Sequence, residues 1–318
     1  MLRSSAFALF ILASCSQPVT ETPVTPALMG EADTTEAPER LAVLSWGDLL
    51  SQEKPTPTET IKIGEGETDI IDLWLPETPG PHPVVIMVHG GCWQKSIADR
   101  TLMNYGAEDL RKRGMAVWNI EYRGVDEAGG GYPGTYLDVA KAADALRDYA
   151  EDYNLDLSRV AGTGHSAGGH LVTWLARRKN LAGESPLYRA NPIALRGVIN
   201  VGGLADLELS ARVTERSCLG EILDDLTGAP SEQRPDVFVD TSPIHLLPLG
   251  IEHVSLSGDL DRISPAGLAR DFRNKAAAAG DKASAIISYG NNHTDLIAPD
   301  TQSFELQAAQ LAEWLEVN

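Results

Sequence analysis

Gly164-His165-Ser166-Ala167-Gly168 fits the pattern G-x-S-x-G. A serine hydroxyl is a weak nucleophile. It attacks a carbonyl when a base takes its proton and N–H donors receive the charge that develops on oxygen. Glycines in this pattern permit a sharp strand-to-helix turn that exposes the serine beside a helix N-terminus. The plainer reading of the five residues is a tight turn with a capping serine. What separates the two is whether the rest of the chain supplies oxyanion donors, a base and an acid.

One donor is the N–H of Ala167, the residue after the serine. Others must come from an earlier strand–helix loop. His89-Gly90-Gly91-Cys92-Trp93 follows an early apolar run and resembles an H-G-G-x-W oxyanion loop. Gly91 and Cys92 are then the N–H donors, with Gly90 shaping the turn; a loop that only reverses the chain is the alternative. Seven histidines compete for the base. His89 and His165 belong to the loops and orient backbone. His170 falls one turn after the serine, where packing is expected. His82 precedes the sheet core, His245 lies in an irregular region and His253 inside a strand. His293, in "SYGNNHTDLI", follows the last predicted strand in a polar loop where a base stays accessible. For the acid, "LSGDLDRISP" offers Asp259 and Asp261 after a strand, and either could cap the helix that follows. Asp206 reads as loop support or a helix cap. Trp93, Tyr122 and Tyr132 are candidates for lining a substrate pocket, and equally for packing. No spacing of His, Cys and Asp suggests a metal site, and no cofactor is implied.

These residues need elements to position them. From about residue 60, strands and helices alternate. "IKIGEG" and "DIIDLWLP" read as early strands, and "PVVIMVHG" as a strand buried on both faces. The further strands are "MAVWNIEYRG", "RVAGTG", "IALRGVINVGG", "IEHVSLSGDLD" and "ASAIISYG". Helices are predicted over 99–114, 137–154, 166–180, 266–280 and 302–317, with a short one in "LAVLSWGDLL". This order predicts an α/β fold with a mostly parallel sheet covered on both faces, its site at the strands' carboxyl ends. Residues 203–248 break the rhythm and are expected to form a small cap insertion over the site.

The remaining features bound the setting. The chain has 318 residues, 43% of them apolar, enough for one large core. A net charge of -19 disfavours nucleic acid as a partner. Residues 1–15 combine Arg3, the apolar "AFALFIL" and "LASC", resembling a bacterial lipoprotein signal that ends at Cys15. Lipidation of Cys15 would make this an exported lipoprotein held at a membrane, with Ser16 pointing to the outer membrane, facing the periplasm or the cell surface. Residues 16–40, rich in Pro, Thr and Glu, read as a disordered tether, so the folded domain spans 41–318.

"HGGCW", "EYRG", "YPGTYLDV", "GHSAGGHL", "SPIHLLP" and "NNHTDLI" together resemble the esterase branch of the α/β-hydrolases. That branch includes H-G-G carboxylesterases and kynurenine formamidase-like enzymes. The order Ser166, Asp261, His293 is the order of that superfamily, whose Gly-x-x-Asp pattern before an apolar-x-Pro stretch picks Asp261 over Asp259. The resemblance implies a small-molecule ester as substrate and a two-step acyl transfer. His293 would act as base, Asp261 would hold its ring, and Gly91, Cys92 and Ala167 would bind the oxyanion. An amidase, formamidase or peptidase using the same residues is the alternative, and a binding lipoprotein without activity is the reading from another class. In an exported chain, Cys92 and Cys218 can form a disulfide that pins the cap beside the site. The alternative is two unpaired thiols.

Overall fold

Apolar runs with polar boundaries become strands because both of their faces are covered by helices. In the computed structural model the described residues are 43–214 and 218–317, excluding the side chain of Cys218. The expected signal, Cys15 and the tether lie outside the described residues. Eight strands are present among those described: β1 (Glu59–Lys62), β2 (Ile70–Trp74), β3 (His82–Val88), β4 (Ala116–Ile120), β5 (Leu155–His165), β6 (Gly197–Val201), β7 (Glu252–Gly258) and β8 (Ala283–Ser288). They form one sheet in the order β1-β2-β4-β3-β5-β6-β7-β8. β1 pairs antiparallel with β2, and β2 with β4; all other pairs are parallel.

Strand β3 shows how the core is divided. Val84, Ile86 and Val88 point into one cluster and Val85 and Met87 into the other, and all five are fully buried. Each such side chain contributes about 1.5–3 kcal/mol by leaving water. The first face is covered by α3 (Gly134–Tyr149), α4 (Ala167–Arg177) and α7 (Ala266–Ala278), through Tyr136, Trp174 and Phe272. On the second lie α2 (Asn104–Lys112) and α8 (Gln302–Leu315), through Leu110, Phe304 and Leu311. The short α1 (Trp46–Leu50) adds Leu49 to that second cluster. A capping box closes its first turn: Ser45 Oγ accepts from Asp48 N–H, and Asp48 accepts from Ser45 N–H.

The parallel register aligns the strand ends. Val88 sits level with Ile120 and with Gly164, His165 with Val201, and Val201 with Leu256. Loops beginning at His89, Glu121, Ser166, Gly202 and Asp259 therefore leave the same edge of the sheet.

Two boundaries differ from expectation. Helix α3 starts at Gly134, not Leu137, because Thr135 closes an earlier turn: its N–H donates to Gly131 O and its Oγ1 accepts from Gly131 N–H. β5 starts at Leu155, which pairs with His82 ahead of a register shift. Residues 203–248 carry α5 (Leu207–Val213) and α6 (Cys218–Thr227). Part of this segment docks on α4, where His170 Nε2 donates to Thr241 O at 2.8 Å and Trp174 Nε1 to Asp240 O at 2.9 Å.

Candidate active site

Ser166 lies between β5 and α4, at the helix N-cap, with φ 54° and ψ -118°, a conformation that costs a non-glycine residue roughly 1–3 kcal/mol. Three backbone bonds hold it there. Its N–H donates to Val201 O at 2.8 Å, and its carbonyl accepts from Gly169 at 2.9 Å and His170 at 3.2 Å. The flanking glycines are required by space. A Cβ on Gly164 would lie 2.2 Å from Gly168 O, and one on Gly168 would lie 2.1 Å from Val88 O. Ala167 is the first residue of α4, so its N–H has no partner within the helix.

His293 lies in the loop after β8, with its Nδ1 2.7 Å from Asp261 Oδ2. Both side chains are buried. Asp261 is fixed through its other oxygen, which accepts the N–H groups of Ile263 at 2.8 Å and Ser264 at 2.9 Å. Asp259, the competing acid, accepts only from Gly290 N–H at the surface. With Nδ1 engaged, Nε2 is the His293 nitrogen left to act as a base. No hydrogen bond joins Ser166 Oγ to His293 among the described residues; such contacts commonly tighten only when substrate binds.

Ser166 and His293 open on one cavity of about 280 Å³. Its other lining residues are Trp46, Leu50, Gly91, Cys92, Ile97, Ala98, Leu102, His165 and Ile263. The H-G-G loop thus reaches the serine. Gly91 has φ 114°, and a Cβ there would lie 2.8 Å from Ala98 Cβ. Cys92 has φ 54° and is disulfide-bonded.

His165 and His170, which flank the serine, are structural. His165 Nε2 donates to His293 O at 3.0 Å, strapping the Ser166 turn to the loop that carries His293. Burial, then the neighbouring His293 ring, pushes the His165 imidazole well below the usual range, so it is neutral. His170 Nδ1 accepts from Trp93 Nε1 at 3.1 Å, and burial lowers its pKa to about 4.

The three proposed substrate contacts sit away from the cavity wall. Trp93 is buried against His170. Tyr122 is buried, stacks on His89 and donates to His89 O at 2.9 Å. Tyr132 carries Arg234 over its ring and donates to Asp240 at 2.9 Å. In their place the wall is built by Trp46 and Leu50 of α1, with Ile97, Leu102 and Ile263. None of the described residues of 203–248 lines the cavity, so the expected cover over the site is not made by them. Asp206 caps α5, accepting from Leu209 N–H. The α1 wall is tied to the base loop: Leu44 N–H donates to Asp295 Oδ1 at 3.0 Å, and Asn292 Nδ2 to Leu44 O at 2.8 Å.

A mostly parallel eight-stranded sheet with helices on both faces and a nucleophile-elbow turn after β5 defines an α/β-hydrolase fold. The BD-FAE family model matches residues 71–275, well over half the chain, and the protein belongs to that family. Among curated proteins, the chain is 26% identical over 221 residues to the esterase LipC of Mycobacterium tuberculosis, covering 66% of this chain and 52% of that protein. It is 25% identical over 253 residues to the isoprenylcysteine alpha-carbonyl methylesterase ICME of Arabidopsis thaliana, covering 76% and 57%. The chain spans about half the length of the curated relatives it matches. Among solved structures, a truncated carbohydrate esterase from gut microbiota superposes with a TM-score of 0.68 at 23% identity, covering 83% of this chain and 99% of that one. The apo form of Thermogutta terrifontis esterase 2 gives 0.65 at 19% identity, covering 83% and 96%.

Proposed function

We propose that the protein is a serine hydrolase that cleaves carboxylic esters. The observation that carries this reading is the Asp261–His293 pair, bonded at 2.7 Å, whose histidine lines one apolar-walled cavity with Ser166. His293 Nε2 takes the Ser166 proton as Oγ attacks the ester carbonyl. Asp261 holds the ring and stabilises its charged form. The N–H groups of Gly91, Cys92 and Ala167 receive the oxyanion. His293 then protonates the leaving alcohol, and water, deprotonated by the same ring, releases the acid from Ser166.

The test is Ser166→Ala against a short nitrophenyl ester. Turnover should fall to background while the thermal unfolding midpoint stays within a few degrees; hydrolysis close to that of the unaltered chain would overturn the mechanism. A panel of acyl esters, formyl amides and aminoacyl amides separates an esterase from an amidase. If a fluorophosphonate probe fails to label the folded protein, a binding role gains the ground instead.

We also propose that the chain is exported and lipidated at Cys15, with 16–40 as its tether and no nucleic-acid partner. Incorporation of labelled palmitate, lost in Cys15→Ser, tests the anchor.

A further inference from the structure

His89 opens the loop that carries Gly91 and Cys92, and its ring is held at both nitrogens. Nδ1 lies 2.6 Å from Gly90 O, and Nε2 lies 2.8 Å from Glu121 Oε1. A carbonyl oxygen only accepts. Glu121 is also saturated with donors. Its Oε1 takes the Tyr122 N–H at 3.1 Å, and its Oε2 takes Lys95 Nζ at 2.6 Å and the Arg100 N–H at 3.3 Å. A carboxylate so placed is ionised and has no proton to give. Both contacts are hydrogen bonds only when each His89 nitrogen carries hydrogen, as in an imidazolium. Tyr122 stacks on it with ring centroids 4.2 Å apart. The remaining charges around the pair are the Arg100 guanidinium, its partner Asp72 at 2.8 Å, and the Asp99 carboxylate.

The carbonyl of Gly90 and the N–H of Gly91 are the two ends of one peptide group. A charged donor on the oxygen draws electron density from the nitrogen end and fixes the plane of the peptide. We propose that His89, kept as an imidazolium by Glu121, is a positioning residue that strengthens and aims the Gly91 N–H as an oxyanion donor. This rests on the reading of Gly91 as such a donor. His89 acts through the peptide and touches no substrate.

Two measurements on the full chain test it. In protein labelled with ¹⁵N-histidine, the His89 ring signals, assigned by their loss in His89→Gln, should show two protonated nitrogens near pH 7. Glu121→Gln keeps the shape and removes the negative charge, so the ring should become neutral with one protonated nitrogen. In steady-state hydrolysis of a nitrophenyl ester, Glu121→Gln should lower kcat roughly tenfold, a fraction of the 10²–10³ lost when an oxyanion donor is deleted outright. KM should move less than about twofold, because the ground-state carbonyl leans little on this donor. Active-site titration normalises kcat to the folded fraction. His89→Gln should lose at least as much kcat and serves if Glu121→Gln does not fold. A neutral His89 ring in the unaltered chain, or Glu121→Gln with unchanged kcat, overturns the proposal. A chain that hydrolyses no ester would defeat the proposed function, while the ring signals would still decide the charge on His89.

Discussion

Asp261→Asn separates holding a histidine from merely occupying its neighbourhood. Asp261 Oδ1 accepts two N–H groups, from Ile263 and Ser264, and Oδ2 faces His293 Nδ1. An asparagine has two ways to fit. If its NH₂ faced Ile263 and Ser264, two buried donors would lose their acceptor, at about 1–3 kcal/mol each. The amide oxygen will therefore keep those two bonds, and the NH₂ will face His293. Nδ1 must then accept, the ring proton moves to Nε2, and Nε2 can no longer take a proton from Ser166. In a serine protease the equivalent change lowers kcat by about 10⁴. That factor corresponds to about 5.5 kcal/mol of barrier at 1.36 kcal/mol per tenfold, and a similar loss is expected here. The assay is kcat and KM on a short nitrophenyl ester, with thermal unfolding as the control for folding. Asp259→Asn is the internal comparison, because among the described residues the Asp259 carboxylate accepts only from Gly290 N–H; it should retain activity within a few-fold. If Asp261→Asn stayed within tenfold of the unaltered chain, or Asp259→Asn fell as far, the assignment of the acid would be wrong.

Other expectations follow from the same geometry. The Trp46 ring meets those of His293 and His165 edge-on at 6.3 and 6.0 Å, contacts of about 0.5–1.5 kcal/mol each. Trp46→Ala should raise KM for a short ester about tenfold and admit longer acyl chains; an unchanged chain-length profile would remove α1 from the wall. His170 titrates near 4 in the fold and near 6.5 when unfolded, so the unfolded chain binds the extra proton between those values. Stability should therefore be complete above about pH 6.5 and fall as pH drops, by about 3 kcal/mol at pH 4 from this residue alone. His165, also depressed, adds to the same loss. Urea unfolding at pH 7 and pH 4 measures it, and a difference near zero would contradict the buried neutral state. Non-reduced peptide mapping should place Cys92 in a bond with Cys218, whose side chain lies outside the described residues. Such a link would add about 5 kcal/mol in the chain-entropy model, and recovery of Cys92 as an alkylated thiol would refute it.

Much of this was legible in the sequence wherever the chemistry forces a residue type. Gly164 and Gly168 are glycines because carbonyl oxygens lie where their Cβ atoms would be, and that need is visible as G-x-S-x-G. The parallel order was legible because strands alternate with helices and β3, buried on both faces, reads as an unbroken apolar run from Val84 to Val88. Sequence reasoning did not find the cavity wall. It offered Trp93, Tyr122 and Tyr132 either as wall residues or as packing, and packing is the role they take, with their polar atoms engaged in holding the loops. The residues that do line the cavity, Leu50, Ile97, Leu102 and Ile263, are ordinary aliphatics. One such residue reads the same in a core and in a pocket, since burial alone selects both. Only the exposure of Leu50 and Ile97 in the folded chain separates them from core residues.

The role of Glu121 was hidden for a different reason. It could be read only as part of "EYRG", because its partners, His89, Lys95 and Arg100, all come from another part of the chain, the connection that follows β3. They meet because β3 and β4 end level, with Val88 beside Ile120, so the first residue of each loop, His89 and Glu121, becomes a neighbour of the other. A buried carboxylate is costly unless every lone pair is matched. Here burial pushes the Glu121 carboxyl up, but the His89 ring and Lys95 outweigh it and hold Glu121 well below the usual carboxylate range. The loop that carries Gly91 and Cys92 is therefore tied at its first residue to a charge network set at the strand ends, in addition to the turn that its glycines allow.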